Sequence, residues 1–124
     1  MTVKVAVLGS RNFKTKEEIR QRLAAYAQRR EIAEIVSGGA PGADRLGEKI
    51  AAELGVPVRV FAADWKAFGR GAGPKRNKEI AAYADICFAF INKPLNQSRG
   101  TASVVAAFKK AGKAAFVYER KEDA

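Results

Sequence analysis

Apolar residues follow two rhythms along this chain, and the rhythms alternate. Short, almost unbroken apolar runs at Val3 to Leu8, Glu34 to Ser37, Val58 to Phe61, Ile86 to Ile91 and Ala114 to Tyr118 read as strands. Runs with so few polar positions suit strands covered on both faces. Between them apolar positions recur at helical spacing: Ile19, Leu23, Tyr26 and Ala27, then Leu46, Ile50 and Leu54, then Ile80, Ala81 and Ala84, then Val104, Val105 and Phe108. Thr15 with Glu18 three residues on predicts a capping box for the first helix, which ends near Arg30. Gly55 and Gly112 close the second and fourth helices, and Pro74 suits the first turn of the third. Strands alternating with helices call for parallel pairing through right-handed crossovers. The expected fold is α/β: three layers around a doubly wound sheet of about five parallel strands. Glu119 to Ala124 reads as a frayed tail.

Two stretches depart from this rhythm. Ser37 to Glu48 holds Gly38, Gly39 and Gly42 between a buried strand and an amphipathic helix, where glycines let backbone approach a ligand and a helix start attracts anions. It follows neither the dinucleotide nor the P-loop spacing, because Arg45 and Leu46 stand where a Walker Lys and Ser would follow. A conventional nucleoside triphosphatase is thereby disfavoured. Ala62 to Gly73 predicts a long loop with Trp65, several cations and three glycines, the kind of segment that carries function in a small α/β domain.

The 124 residues predict one domain, with a core from about Val3 to Tyr118. No apolar run approaches a membrane span and no cleavage pattern follows Met1, so a soluble cytoplasmic protein is expected. With one cysteine and no histidine, an internal disulfide, a zinc site and a histidine-based triad are all out of reach, and no metal or required cofactor is expected. Cys87 falls within the fourth strand as an inert core residue. The net charge of +10 suggests a polyanionic partner, and it is unevenly spread. Lys66, Arg70, Lys75, Arg76 and Lys78 lie in one acid-free span, and Lys93, Arg99, Lys109, Lys110 and Lys113 in another. Together they equal the whole excess, which favours an anion-binding surface in the second half of the chain.

In doubly wound sheets ligands sit beyond the carboxyl ends of the strands. Candidate contacts therefore come from four loops. Gly9, Ser10 and Arg11 follow the first strand, where Ser10 and Arg11 either touch ribose or phosphate or cap the first helix. Ser37, Gly38, Gly39, Ala40, Gly42 and Asp44 follow the second; Asp44 either takes a ribose hydroxyl or stabilises its own helix. Arg45 and Glu48 read as helix-surface charges. Trp65, with Lys66 beside it, either stacks on a base or anchors its loop, and Arg76 and Asn77 open the third helix, where a guanidinium can clamp phosphate. Ser98, Arg99, Gly100 and Thr101 start the fourth helix and can hold phosphate through backbone N–H groups, a hydroxyl and a guanidinium. Lys109, Lys110 and Lys113 fall at that helix's far end, outside the site.

Gly9-Ser10-Arg11-Asn12-Phe13, Ser37 to Asp44, Ala63-Asp64-Trp65, Gly73-Pro74-Lys75-Arg76-Asn77, Ala84-Asp85 and Ser98-Arg99-Gly100-Thr101 together resemble the YspA-like branch of the SLOG superfamily, the Rossmann-like group named for Smf/DprA and LOG proteins. The similarity runs from about Val3 to Tyr118. It implies a Rossmann-like domain that recognises ADP-ribose-like or other nucleotide-derived ligands. Among relatives, LOG phosphoribohydrolases cut the N-glycosidic bond of nucleoside monophosphates, and their catalytic Arg corresponds to Arg76 here. Their second phosphate motif ends in Gly-Thr-x-x-Glu with a catalytic Glu, whereas this chain reads Gly100-Thr101-Ala102-Ser103-Val104. Loss of that carboxylate puts hydrolysis of the LOG type in serious doubt, whereas binding can survive without it.

Three functions follow as expectations. The first is a sensor or binding module for a nucleotide-derived small molecule. The second is a hydrolase using another carboxylate, Asp44 or Asp64, with Arg76. The third, from the charge and the DprA relatives, is a single-stranded nucleic-acid binder, against which few aromatics are interleaved with the basic residues. Because LOG relatives commonly dimerise, the resemblance also leaves a homodimer as an expectation.

Overall fold

The computed structural model describes residues 2–120; of the tail expected from Glu119, Glu119 ends the last strand and the Arg120 N–H donates to the Ile91 carbonyl at 2.8 Å, while residues 121–124 lie outside the described residues. Five strands, β1 (Thr2–Gly9), β2 (Glu31–Ser37), β3 (Val58–Val60), β4 (Ile86–Ile91) and β5 (Ala114–Glu119), form one sheet in the order β3-β2-β1-β4-β5. Every pairing is parallel, with Val5 opposite both Ile35 and Ile86. Because side chains alternate across a strand, β1 feeds two cores. Val3, Val5 and Val7 join Ile35, Phe88 and Phe90 beneath α1 (Lys16–Ala27) and α2 (Ala43–Leu54). Ala6 and Leu8 join Val36, Cys87 and Ala89 beneath α4 (Ala72–Tyr83) and α5 (Arg99–Lys110). The expected three-layer, doubly wound Rossmann-like architecture is present. Among the described residues no helix is long and apolar enough to cross a membrane.

Three local expectations are corrected. The stretch from Ala62 to Gly73 is largely helical: α3 (Trp65–Phe68) is followed by a 3₁₀ turn at Gly69–Gly71 and then by α4, which begins at Ala72. The Asp64 carboxylate caps α3 by accepting the Ala67 N–H at 3.1 Å, a first-turn bond that lets a single turn form. With α4 starting two residues before Pro74, Arg76 and Asn77 fall in its second turn rather than its first. Thr15 makes no side-chain capping bond at α1. Glu18, its intended partner, is drawn instead to Arg22 at 3.0 Å and Arg120 at 3.4 Å. Outside the site, as expected, the Lys113 ammonium closes the end of α4, donating to the carbonyls of Ala81, Ala82 and Ala84 at 2.7–3.2 Å.

Candidate functional site

β1 leads into α1 on one face of the sheet and β4 into α5 on the other, so the loops after these adjacent strands diverge and open a cleft. Its volume is about 790 Å³, within the range of sites for small ligands. The loops are tied to each other at the base. Ser10 N–H donates to the Phe90 carbonyl at 3.0 Å. The Ser10 hydroxyl accepts the Asn92 N–H at 3.1 Å, and the Asn92 amide donates to the Asn12 side chain at 2.7 Å. The Ser10 hydroxyl is thus spent on tying the two loops together. Asn92, buried in the cleft wall, was missed by sequence reasoning. Its signal was a polar residue directly after an all-apolar strand.

The turn after β2 is built to present Asp44. Gly42 has φ +82°, and a Cβ there would fall 2.2 Å from the Ser10 carbonyl oxygen, so only glycine lets the turn press onto the β1 loop. That same carbonyl accepts the Ala43 N–H at 3.1 Å. The buried Asp44 carboxylate accepts the Gly38 N–H at 2.9 Å. From α4, Arg76 Nη1 donates to the Gly38 carbonyl at 2.8 Å, while its Nε donates to Asn77 Oδ1 at 3.0 Å. Asp44 and Arg76 therefore grip opposite ends of one residue without forming an ion pair within 4.0 Å. Burial pushes the Asp44 carboxyl up to about 6, against the opposing pull of the Gly38 and Gly9 amides and the Arg76 charge. Among the described residues Asp44 is the only acid in the cleft lining.

Further polar groups of this turn are engaged internally. The buried Ser37 hydroxyl donates to Glu48 at 2.6 Å and accepts the Gly39 N–H at 3.0 Å, and Arg45 donates to the Gly39 carbonyl at 3.2 Å. Arg45 is exposed on α2 as expected and half-buried Glu48 lies on the same helix, and both also brace the turn. The amides expected to face phosphate here are in part already engaged.

The start of α5 is different. Ser98 occupies the cap position, yet its hydroxyl donates to the Pro94 carbonyl at 3.1 Å and makes no bond to the helix amides. A Cβ on Gly100 would meet nothing within 4 Å, and its φ is not positive. The protein's own packing gives no reason for glycine there. Thr101, the next residue, is buried, and Arg99, Lys93 and Arg11 are exposed and line the cleft. None of these three cations is ion-paired among the described residues. Val104, in the position of the LOG Glu, lies in the cleft wall almost fully buried.

Every ligand-contact residue named from the sequence lines this cleft except Ser37, Gly39, Gly42 and Lys66. Asp64 is also outside it, occupied as the α3 cap. Cys87 is buried and its thiol is pushed up to about 12, which leaves it unreactive. The acid-free spans do not form one basic surface. Arg76, Lys93 and Arg99 reach the cleft, Lys75 pairs with Glu79 at 2.9 Å, and Lys113 closes α4.

A parallel doubly wound sheet with a cation-rimmed cleft at its switch point places the chain among Rossmann-like α/β domains. Residues 3–68, just over half of the 124, match the family described as YspA, cpYpsA-related SLOG, and the chain belongs to that family. The matched region carries the Gly9 loop, the Asp44 turn and Trp65, and stops before Arg76 and Ser98 to Thr101. No curated protein and no solved structure matches the chain. Membership in this family suggests a nucleotide-related binding or processing role.

Proposed function

We propose that the cleft binds a nucleotide-derived small molecule, a nucleoside phosphate or an ADP-ribose-like compound, and that the protein is its sensor or binding module. The observation that carries this reading is the start of α5. Its amides have no side-chain cap, its second residue is a glycine that packing does not require, and unpaired Arg99 and Lys93 flank it. A phosphate there would receive backbone N–H bonds, the helix dipole and a guanidinium. Asp44, farther along the cleft, suits a ribose hydroxyl.

The test is thermal stability with AMP, ADP-ribose or inorganic phosphate, at low and high salt. A ligand at a hundred times its dissociation constant adds about 2.7 kcal/mol, a shift of several degrees for a domain of this size. A salt-tolerant shift that survives in Lys109→Ala, outside the cleft, and disappears in Gly100→Val is expected. The reading falls if none of these compounds shifts the melt, or if only a single-stranded oligonucleotide does so and only at low salt.

Asp44 also supports a second reading, hydrolysis of the bound nucleotide. It is a cleft carboxylate titrating near 6, suited to general acid–base work. If a nucleoside monophosphate is turned over, Asp44→Asn is expected to abolish the reaction while binding persists; retained turnover excludes Asp44 as the working carboxylate.

A further inference from the structure

Trp65 is the chain's single tryptophan. It opens α3 at the carboxyl end of β3 and is 55% exposed, an unusual state for the largest apolar side chain in so small a domain. Its ring is nonetheless held. The far edge lies over the buried Gly73 of α4, where an added Cβ would come within 3.2 Å of Trp65 Cη2. One edge is anchored on the α4 backbone, and the ring forms part of the cleft wall.

The order of chemistry along the sheet edge adds direction. Reading β3-β2-β1-β4, the strand ends present Trp65, then Asp44 with Gly38, then Ser10 and Arg11, then the start of α5 with Arg99 and Thr101. Adjacent strands lie about 4.8 Å apart, so roughly 14 Å separates the first from the last. An aromatic ring, a hydrogen-bond-accepting carboxylate and a cationic helix start follow in the same sequence as the base, the ribose and the phosphate of a nucleotide. Two groups in this order would occur on many surfaces; three in one cleft constrain the ligand.

Resting on the reading of the cleft as a nucleotide site, we infer that Trp65 is the stacking platform for the nucleobase, and that the ligand lies with its base toward β3 and its phosphate at α5. The site then selects compounds that carry a base over those with sugar and phosphate alone. Stacking on a π-face is tolerant of base identity. Base selectivity must therefore come from edge contacts, and discrimination between a nucleotide and a bare sugar phosphate from Trp65.

A single tryptophan makes its own reporter. Fluorescence of the wild-type protein is titrated with AMP, GMP, CMP, UMP and ribose 5-phosphate, alongside melting curves with the same compounds. At least one mononucleotide is expected to quench Trp65 saturably, with the midpoint of its melt shift. Ribose 5-phosphate is expected to bind about 5- to 150-fold more weakly, the worth of one base stacked on an aromatic ring, and to leave the fluorescence unchanged. Trp65→Ala should reduce the mononucleotide to the affinity of ribose 5-phosphate, and Trp65→Phe should restore most of the loss. A mononucleotide that shifts the melt of wild type and Trp65→Ala equally, without quenching, overturns the inference and leaves the cleft reading standing. If none of the mononucleotides, ribose 5-phosphate, ADP-ribose and inorganic phosphate shifts the melt, the cleft reading itself fails.

Discussion

The turns after β2 and after β4 both run from a buried strand through glycine into a helix, and they have opposite characters. In the β2 turn, Gly38 and Gly39 amides are bound by Asp44 and Ser37, the Gly38 and Gly39 carbonyls by Arg76 and Arg45, and Gly42 is required by contact with the Ser10 carbonyl. In the β4 turn, the cap hydroxyl is turned away, the glycine faces open space, and the nearby cations are unpaired. A glycine-rich sequence is thus a poor guide to an anion site by itself. What matters is whether the backbone groups it exposes are already satisfied, because only unsatisfied ones gain from a ligand. The β2 turn is a brace that aims one carboxylate; the β4 turn is the open end.

Substitutions of the two glycines separate these roles most sharply. Gly42→Ala is expected to cost about 3 kcal/mol or more, through both the positive φ and the collision with the Ser10 carbonyl. Urea unfolding would show it, and a loss below about 1 kcal/mol would mean that the brace is soft.

The Asp44 carboxyl has the next largest effect, and its sign is set by burial. Its value in the fold, about 6, lies above the ordinary carboxylate value of about 4. The stability it contributes is therefore fully present below pH 4 and is lost as pH rises through 6, a loss of about 3 kcal/mol by neutral pH. Subtracting the stability–pH profile of Asp44→Asn should isolate a step of that sign and size. A flat difference between pH 4 and 7 would contradict the buried, ionising carboxylate.

Arg76→Met is expected to move that step upward in pH, because the guanidinium favours the charged carboxylate. Losing its bond to the Gly38 carbonyl should also cost about 1–2 kcal/mol in the same unfolding experiment. A step left in place would mean that Arg76 serves only the turn and not Asp44.

Smallest in stability is Gly100→Ala. With open space at the Cβ and helical backbone, it should leave the melt unchanged or raise it by about 0.5 kcal/mol, while weakening any ligand seated on the α5 amides. A variant with both stability and binding unaffected would make Gly100 incidental and remove the contrast between the two turns.

Much of this was legible along the chain. The apolar runs and helical spacings marked every strand and long helix, since burial on two faces leaves a continuous signature. The cleft loops followed from topology, and Asp44, Arg76 and Arg99 were all singled out at the edge where the cleft opens. The capping of α3 by Asp64 was equally written in the sequence, and was overlooked because three nearby glycines suggested irregular chain. The bond between Asn92 and Ser10 was harder: it spans 82 positions, and although Ser10 was named and Asn92 directly follows an all-apolar strand, nothing local says that the two meet.

The sequence by itself determined the alternation of strands and helices, the parallel sheet, the edge at which ligands would gather and the residue types available there. Only the tertiary structure decided which of those residues are occupied. Arg76 reaches Gly38 across 38 positions, and Ser10 accepts from Ala43. Such contacts decide whether an amide, a carboxylate or a guanidinium still has capacity for a ligand. Local patterning records which groups a segment carries, whereas their satisfaction is a property of the segments packed against them.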